Sequence, residues 1–282
     1  MNVWEALQQG RSLLSQVSDE GDVEAEMLLR ECLLLDRTRL YARLGEELST
    51  EQEEAYRGLI VRRMVYEPAA YILGHKEFFG LEFEVTPDAI IPRPETEVLV
   101  EIAIDFLRRH SDLDGEIADI GTGSGIVAVS IAHAIPEARI VAVDLSADAL
   151  ALAQRNAERH RVQRRIRFVK GDLVAPLDGD AFGLIAANLP YVRTSEWEQL
   201  PKEIREHEPR DALDGGPDGL QVITRLLQQA PAHLAPGGLL LAEIDDRQGL
   251  ATADLAREGF PSACVEVRRD LSGRDRVLTV QT

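Results

Sequence analysis

"ADIGTGSGIVAV", residues 118–129, is the stretch that decides the fold class. The short apolar run "EIADI" enters a loop with glycine at every second position, and the apolar run beyond Ser124 continues as a helix. Gly121, Gly123 and Gly125 can take backbone angles closed to other residues, and they let a ligand approach the main chain at a helix amino terminus. Further apolar runs at "RIVAV", "RIRFV", "FGLIAAN" and "GGLLLAEI" alternate with helical segments beginning near Ser146 and Gly219. That is the βαβ rhythm of a parallel, doubly wound sheet. At the end, "ACVEVRRDLSGRDRVLTVQT" places two strands around a Ser-Gly turn, which predicts an antiparallel pair.

Upstream, residues 3 to 74 carry a helical pattern throughout. Trp4, Leu7 and Leu14 fall on one stripe, as do Ala25, Leu28, Leu29 and Cys32. The acidic "GEELSTEQEEAYRG" reads as a solvated helix face. "HKEFFGLEFEVTP" alternates apolar and charged residues around Gly80 and predicts a hairpin, and Leu99, Ile102, Ala103, Phe106 and Leu107 then mark an amphipathic helix. The expected fold is therefore α/β: a doubly wound Rossmann-like sheet with an antiparallel terminal strand, preceded by a small all-α domain. The expected boundaries are 1–74 for the helical domain, 75–92 for a hairpin linker and 93–282 for the sheet domain.

The chain has 282 residues, 45% of them hydrophobic, enough for a sizeable core. Its net charge of -18 sets a field that repels phosphate backbones and argues against a bulk nucleic-acid binder. Cys32 and Cys264, far apart in sequence, read as small core residues of a reducing compartment. The amino terminus lacks the pattern of an export signal and no apolar stretch reaches the ~18 residues of a membrane span, so a cytoplasmic location is expected. The six histidines show no paired metal spacing and no G-x-S-x-G elbow occurs, so neither a metal site nor a serine hydrolase is expected.

In the glycine loop, Gly121, Thr122, Gly123, Ser124 and Gly125 depart from the dinucleotide fingerprint G-x-G-x-x-G: position 126 is Ile and the third glycine comes one place early. That spacing fits a methionine-adenosyl ligand better than a pyrophosphate. The second strand ends in "VAVDLS", placing Asp144 where a carboxylate accepts both hydroxyls of a ribose, or where it caps the next helix. After the third strand, Asp172 and Leu173 offer an acid for an adenine amino group and an apolar side chain for its ring face, or else a turn and a core contact.

The fourth strand ends in "NLPY", residues 188–191. A planar NH2 whose lone pair is delocalised is a poor nucleophile, so its methylation calls for alignment more than for a base. The Asn188 side-chain carbonyl and the Leu189 main-chain carbonyl can each accept one N–H, Pro190 stiffens the turn, and Tyr191 offers a flat face for stacking. Taken alone, the four residues read better as a capped strand-to-helix turn, and the preceding motifs in order shift the reading to the functional one.

With these motifs in order, the sequence resembles the N5-glutamine methyltransferases that modify class I peptide chain release factors. The resemblance runs through "EPAAYILGHKEFFGLEFEVTPDAIIPRPETE", with its RPxTE segment, "NLPY", "EPRDALDGGPDGL" and "SGRDRVL". It implies S-adenosylmethionine as methyl donor, with S-adenosylhomocysteine as product. It implies the side-chain amide of the glutamine in a release factor GGQ loop as acceptor, and a helical domain that grips the protein substrate. Gly121 to Gly125, Asp144, Leu173 and Asn188 would contact the donor, and Asn188, Leu189, Pro190 and Tyr191 the glutamine. The family's usual turn is NPPY, so Leu189 is a departure; so is Asp245, where the family usually has Gly.

Two other readings compete. An adenine N6 methyltransferase acting on RNA or DNA would present the same NH2 to the same pocket. It should show a basic track, for which "RNAERHRVQRRIRFVK", ending at Lys170, is the candidate, though a solvated helix end accounts for it as well. A donor-binding protein without catalysis would not need an intact "NLPY". Arg93 and Glu97 either close over the donor or start a helix, and "HEP" at 207–209 belongs to a loop shaping the substrate cleft.

Overall fold

The computed structural model describes residues 1–110, 115–177, 179 and 181–282. The chain divides into two compact units: Met1–His75 with Pro201–His207, and Lys76–Leu200 with Glu208–Thr282.

The first unit contains helices α1 (Val3–Leu14), α2 (Gly21–Leu33), α3 (Arg37–Ala42), α4 (Thr50–Met64) and α5 (Ala69–Leu73), together with the short Lys202–His207 helix. Asn2 and Ser49 open α1 and α4 with reciprocal capping boxes that satisfy otherwise unpaired N–H groups. Leu7, Leu14, Leu28, Leu29 and Leu40 are fully buried. Trp4 does not share their stripe: it is 46% exposed, while Val3, Ala6 and Gly10 complete the buried face of α1. At roughly 100° per residue, Trp4 lies about a quarter-turn off the centre of that face. The buried Arg63 guanidinium is paired to Glu24 at 2.9 Å and Glu203 at 2.6 Å.

Neither cysteine is the core residue that the sequence suggests. Cys264 is exposed, and Cys32 is half-buried with its thiol directed at the Gln52 carbonyl.

The hairpin pairs β1 (His75–Phe78) with β2 (Leu81–Glu84). Phe79 and Gly80 between them both have positive φ, 52° and 71°, which matches the turn to the strand twist.

The main sheet comprises β3 (Glu116–Ile120), β4 (Ile140–Asp144), β5 (Ile166–Lys170), β6 (Phe182–Ala187), β7 (Leu234–Glu243), β8 (Cys264–Arg269) and β9 (Asp275–Gln281). Its order is β5-β4-β3-β6-β7-β9-β8. The first five strands are parallel, and β9 inserts antiparallel between β7 and β8. Strand side chains alternate between two cores. Ile117, Ile140, Ala142, Leu184 and Leu241 pack with α6 (Thr96–Arg109) and α7 (Ile126–Ala134), and with the end of α8 (Ala147–Arg159). Ala118, Ile120, Val141, Ile185 and Leu240 pack with α10 (Gln221–Gln229) and α11 (Gly249–Gly259), α9 being the Lys202–His207 helix. Order reverses between β3 and β6, and at such a switch point the carboxyl ends of the strands leave a crevice.

Asn156 on α8 is fully buried, with both ends of its amide engaged. It donates to the carbonyls of Glu84 and Ser124 at 3.0 and 2.9 Å and accepts from the Glu84 N–H at 2.8 Å, fastening the hairpin to the glycine loop. Removing it strands three main-chain groups, each worth about 1–3 kcal/mol when left unpaired. Asn156→Ala is therefore expected to lower the unfolding free energy by about 3 kcal/mol or more, read from the denaturant midpoint; an unmoved midpoint would contradict this tether.

Candidate active site

The three loop glycines all adopt positive φ, at 74°, 55° and 84° for Gly121, Gly123 and Gly125. Two of them are also held by close approach. A Cβ on Gly121 would lie 3.0 Å from Leu189 Cδ2 and 3.3 Å from the Asn188 carbonyl oxygen, and one on Gly125 would lie 3.0 Å from Ala153 Cβ. Asp144 holds the loop from the next strand: its Oδ2 accepts from Gly123 N–H at 2.8 Å and its Oδ1 from Ser146 N–H at 2.9 Å. The cap of α8 is Ser146, whose side chain accepts from Ala149 N–H, so Asp144 is not that cap.

A cavity of about 420 Å³ opens beside this loop. Its walls bring together Gly121, Gly123, Asp144, Asp172, Leu173, Asn188, Leu189 and Pro190. Thr122, Ser124 and Gly125 are not part of that wall. Thr122 turns inward and donates to Asp119 at 2.6 Å, and Ser124 gives its carbonyl to Asn156. Tyr191 lines a separate recess of about 20 Å³, shared with Arg93, Asn188, Leu189 and Pro190.

The cavity has the size and make-up of a nucleoside site: mostly apolar walls with a few polar groups fixing orientation. Leu145, next to the Asp144 carboxylate and 66% exposed, presents an apolar surface to it. Leu173 adopts φ 51°, a left-handed conformation that is uncommon for a leucine and concentrates at functional sites. Asp172 is paired to Arg225 at 2.5 Å, so one of its oxygens is already engaged.

At the end of β6, Asn188 Nδ2 donates to Thr96 Oγ1 at 3.1 Å. Among the described residues no donor engages Asn188 Oδ1 or the Leu189 carbonyl. The Tyr191 hydroxyl donates to Glu243 at 3.3 Å, and burial pushes the phenol well above its usual pKa, so it stays protonated. Gln248 donates to the carbonyls of Tyr191 and Gly219, both at 3.1 Å. The "DGGPDGL" loop packs directly under the turn: a Cβ on Gly215 would lie 2.6 Å from the Pro190 oxygen, and one on Gly219 2.3 Å from the Tyr191 oxygen.

Arg93 reaches the recess and is held by buried Glu208, which also accepts from Ile91 N–H. Glu97 instead accepts from Phe79 N–H at 2.8 Å, tying α6 to the hairpin. Much of the basic track is spent on ion pairs away from the cavity. Arg155 binds Glu84 and Arg159 binds Glu82, while Arg165 donates to the Ile135 carbonyl.

Residues 5–74 match the family described as PrmC N-terminal domain, and residues 96–207 the one described as methyltransferase small domain. A release factor glutamine methyltransferase of Geobacter sulfurreducens is 44% identical over 261 residues, covering 92% of this chain and 89% of that protein. The chain belongs to the release factor glutamine methyltransferase family. A second family member, from Bacillus anthracis, is 33% identical over 281 residues and covers 99% of this chain and 98% of its own length. Among solved structures, a methyltransferase from Pyrococcus furiosus shares the fold with a TM-score of 0.52 at 20% identity, over 73% of this chain and 91% of that one.

The roles of Thr96, Glu243 and Gln248 escaped the sequence reading, which singled out Glu208 only as part of the "HEP" loop. Glu243 carried a readable signal: like Asn188, it is a polar residue closing an apolar strand.

Behind the loop, Asp119 is fully buried. Burial drives its pKa up from 3.8 to about 6, against the pull of hydrogen bonds from Thr122 and the Ala128 N–H, with the Asp144 charge pushing the same way as burial. The folded protein thus binds this proton more tightly than the unfolded chain. Stability from this group is greatest below about pH 4 and falls as pH rises to about 6, by about 3 kcal/mol. Asp119→Asn cannot titrate and should lack that fall. Urea unfolding of both proteins from pH 4 to 7 checks it, and parallel curves would contradict the assignment.

Proposed function

We propose that this chain transfers a methyl group from S-adenosylmethionine to the side-chain amide nitrogen of the glutamine in the GGQ loop of class I release factors, and that it does so in the cytoplasm. Family membership supports the reaction and the donor, and the identity of the relatives as release factor glutamine methyltransferases supports the acceptor. No helix among the described residues is long and apolar enough to cross a membrane.

The observation that carries the mechanism is the pair of acceptors at the end of β6, Asn188 Oδ1 and the Leu189 carbonyl, beside a cavity of nucleoside size. On this reading Gly121 and Gly123 let the donor lie against the main chain, Asp144 turns its remaining lone pairs to the ribose, and Asp172 and Leu173 border the adenine. S-adenosylmethionine, when bound, supplies a methyl carbon on a cationic sulfur. The two oxygens take one N–H each from the glutamine amide and fix its nitrogen on the line of attack. As the N–C bond forms and the C–S pair returns to sulfur, the nitrogen gains positive charge, which both oxygens stabilise. They then hold the surplus proton until it passes to water. Arg93 and Tyr191 wall the recess beside them, and the helical unit engages the rest of the release factor. An adenine amine would satisfy the same two oxygens, but the relatives' names do not favour it.

The test is to offer labelled donor with release factor, ribosomal RNA and DNA in parallel and to locate the label by mass spectrometry. Label on the GGQ glutamine is expected; label on adenine alone would reject the proposal. In the same assay Asn188→Ala should keep partial donor binding and lose roughly 100-fold or more in transfer, and unchanged transfer would remove the side chain from the mechanism.

A further inference from the structure

Between the "NLPY" turn and the "DGGPDGL" loop the chain makes an excursion. It leaves the sheet unit after Leu200, spends Pro201–His207 in the helical unit and rejoins the sheet unit at Glu208. Two contacts hold it while it is away. Glu203 on α9 pairs with Arg63 Nη2 at 2.6 Å, and Lys202 Nζ lies 4.5 Å from the centroid of the Tyr66 ring. Arg63 is 1% exposed; Glu24 takes its Nε–H at 2.9 Å, and its Nη1 has no partner among the described residues. Without Glu203, both terminal nitrogens of a buried guanidinium would lack an acceptor, which is costly. The pair is therefore a firm anchor, although the Glu203 side chain itself reaches the surface.

The residue that directly follows the excursion is Glu208. It is 6% exposed and accepts from Arg93 at 2.5 Å and from the Ile91 N–H at 3.2 Å. Ile90 and Arg93 line the small recess together with Asn188, Leu189, Pro190 and Tyr191, so Glu208 fixes one wall of it. Two residues further on, the chain has anchors of its own. Arg210 pairs with Asp214 at 3.0 Å, and its guanidinium lies 4.9 Å from a ring centroid of Trp197. Glu208 is thus the point at which the anchoring of α9 reaches the site, one peptide bond after His207.

We propose that Glu203 is a positioning residue for the transfer: its ion pair with Arg63 fixes α9 and so sets where Glu208 holds Ile91 and Arg93 at the recess. Glu203 touches neither donor nor glutamine on this account. It acts because in-line attack tolerates little misplacement of the group that walls the nucleophile. The inference rests on the reading of the recess as the seat of the glutamine amide.

Glu203→Ala, measured on the full chain with release factor and saturating S-adenosylmethionine, should lose about tenfold or more in kcat. Its Kd for S-adenosylhomocysteine should stay within about threefold of wild type. Glu203→Gln keeps an oxygen for Arg63 and should recover most of the lost rate. Wild-type kcat in Glu203→Ala overturns the proposal. So does a higher KM for release factor at unchanged kcat, which would make Glu203 part of the grip on the protein substrate, and so does donor binding weakened as much as kcat, which would mean general loosening. A double-mutant cycle with Glu208→Ala decides the route. Added to Glu208→Ala, Glu203→Ala should cost less than about threefold more; losses that multiply show a separate route and overturn it. If Glu203→Ala does not fold, Lys202→Ala takes its place in the cycle and is read in the same way. Asn188→Ala alongside separates the two layers. Full activity there rejects the glutamine reading of the recess, while its loss with an unaffected Glu203→Ala rejects only the anchor.

Discussion

The site depends on one missing atom. With no Cβ at Gly121, the glycine loop and the turn after β6 come together so closely that Leu189 Cδ2 and the Asn188 carbonyl occupy the space around the place a side chain would begin. Two loops from adjacent parallel strands thereby share a wall. On the proposed reading one borders the methyl donor and the other carries the two acceptors, so their separation is set by backbone packing. Asp144 fixes the first loop through Gly123, and Asn156 fastens it to the hairpin. Gln248, Glu243 and the glycines at 215 and 219 fix the second. Such a site needs no strong base, because holding a weak nucleophile in line lowers the barrier by a different route.

The parallel strands were legible because each is a short apolar run ended by a polar or glycine punctuation, and burial on both faces leaves little else that the runs could be. The turn at 188–191 was legible for the same reason: Asn188 is conspicuous at the end of "FGLIAA". What held the turn was not. Thr96 and Glu243 lie 92 and 55 residues from Asn188, and nothing local in "PETE" or "LLAEI" says that Thr96 meets the Asn188 carboxamide or that Glu243 meets the Tyr191 hydroxyl. Likewise, the glycines of "DGGPDGL" read as a flexible loop, whereas two of them are close-approach positions under Pro190 and Tyr191. Helical periodicity misassigned Trp4 because Val3 and Ala6 define the same face more fully, and an indole at the edge of a stripe satisfies the pattern without being buried.

Charge is distributed unevenly in function though uniformly acidic in sum. Two of the arginines that looked like a nucleic-acid track, Arg155 and Arg159, fasten α8 to the hairpin through Glu84 and Glu82. Arg63 is consumed inside the helical unit by Glu24 and Glu203, and Arg93 by Glu208. On the proposed reading the site itself therefore relies on carbonyl dipoles. That arrangement suits an acceptor that is neutral before reaction and only transiently positive during it.

The central claim is geometric, and a structure of the chain with S-adenosylhomocysteine and a glutamine-bearing peptide tests it most directly. The account predicts the glutamine side-chain nitrogen at about 2.7–3.2 Å from both Asn188 Oδ1 and the Leu189 carbonyl, with the Asn188 NH2 still on Thr96 and the nitrogen facing the sulfur. A glutamine bound with its nitrogen away from both oxygens, or an Asn188 turned so that its NH2 faces the ligand, would contradict it.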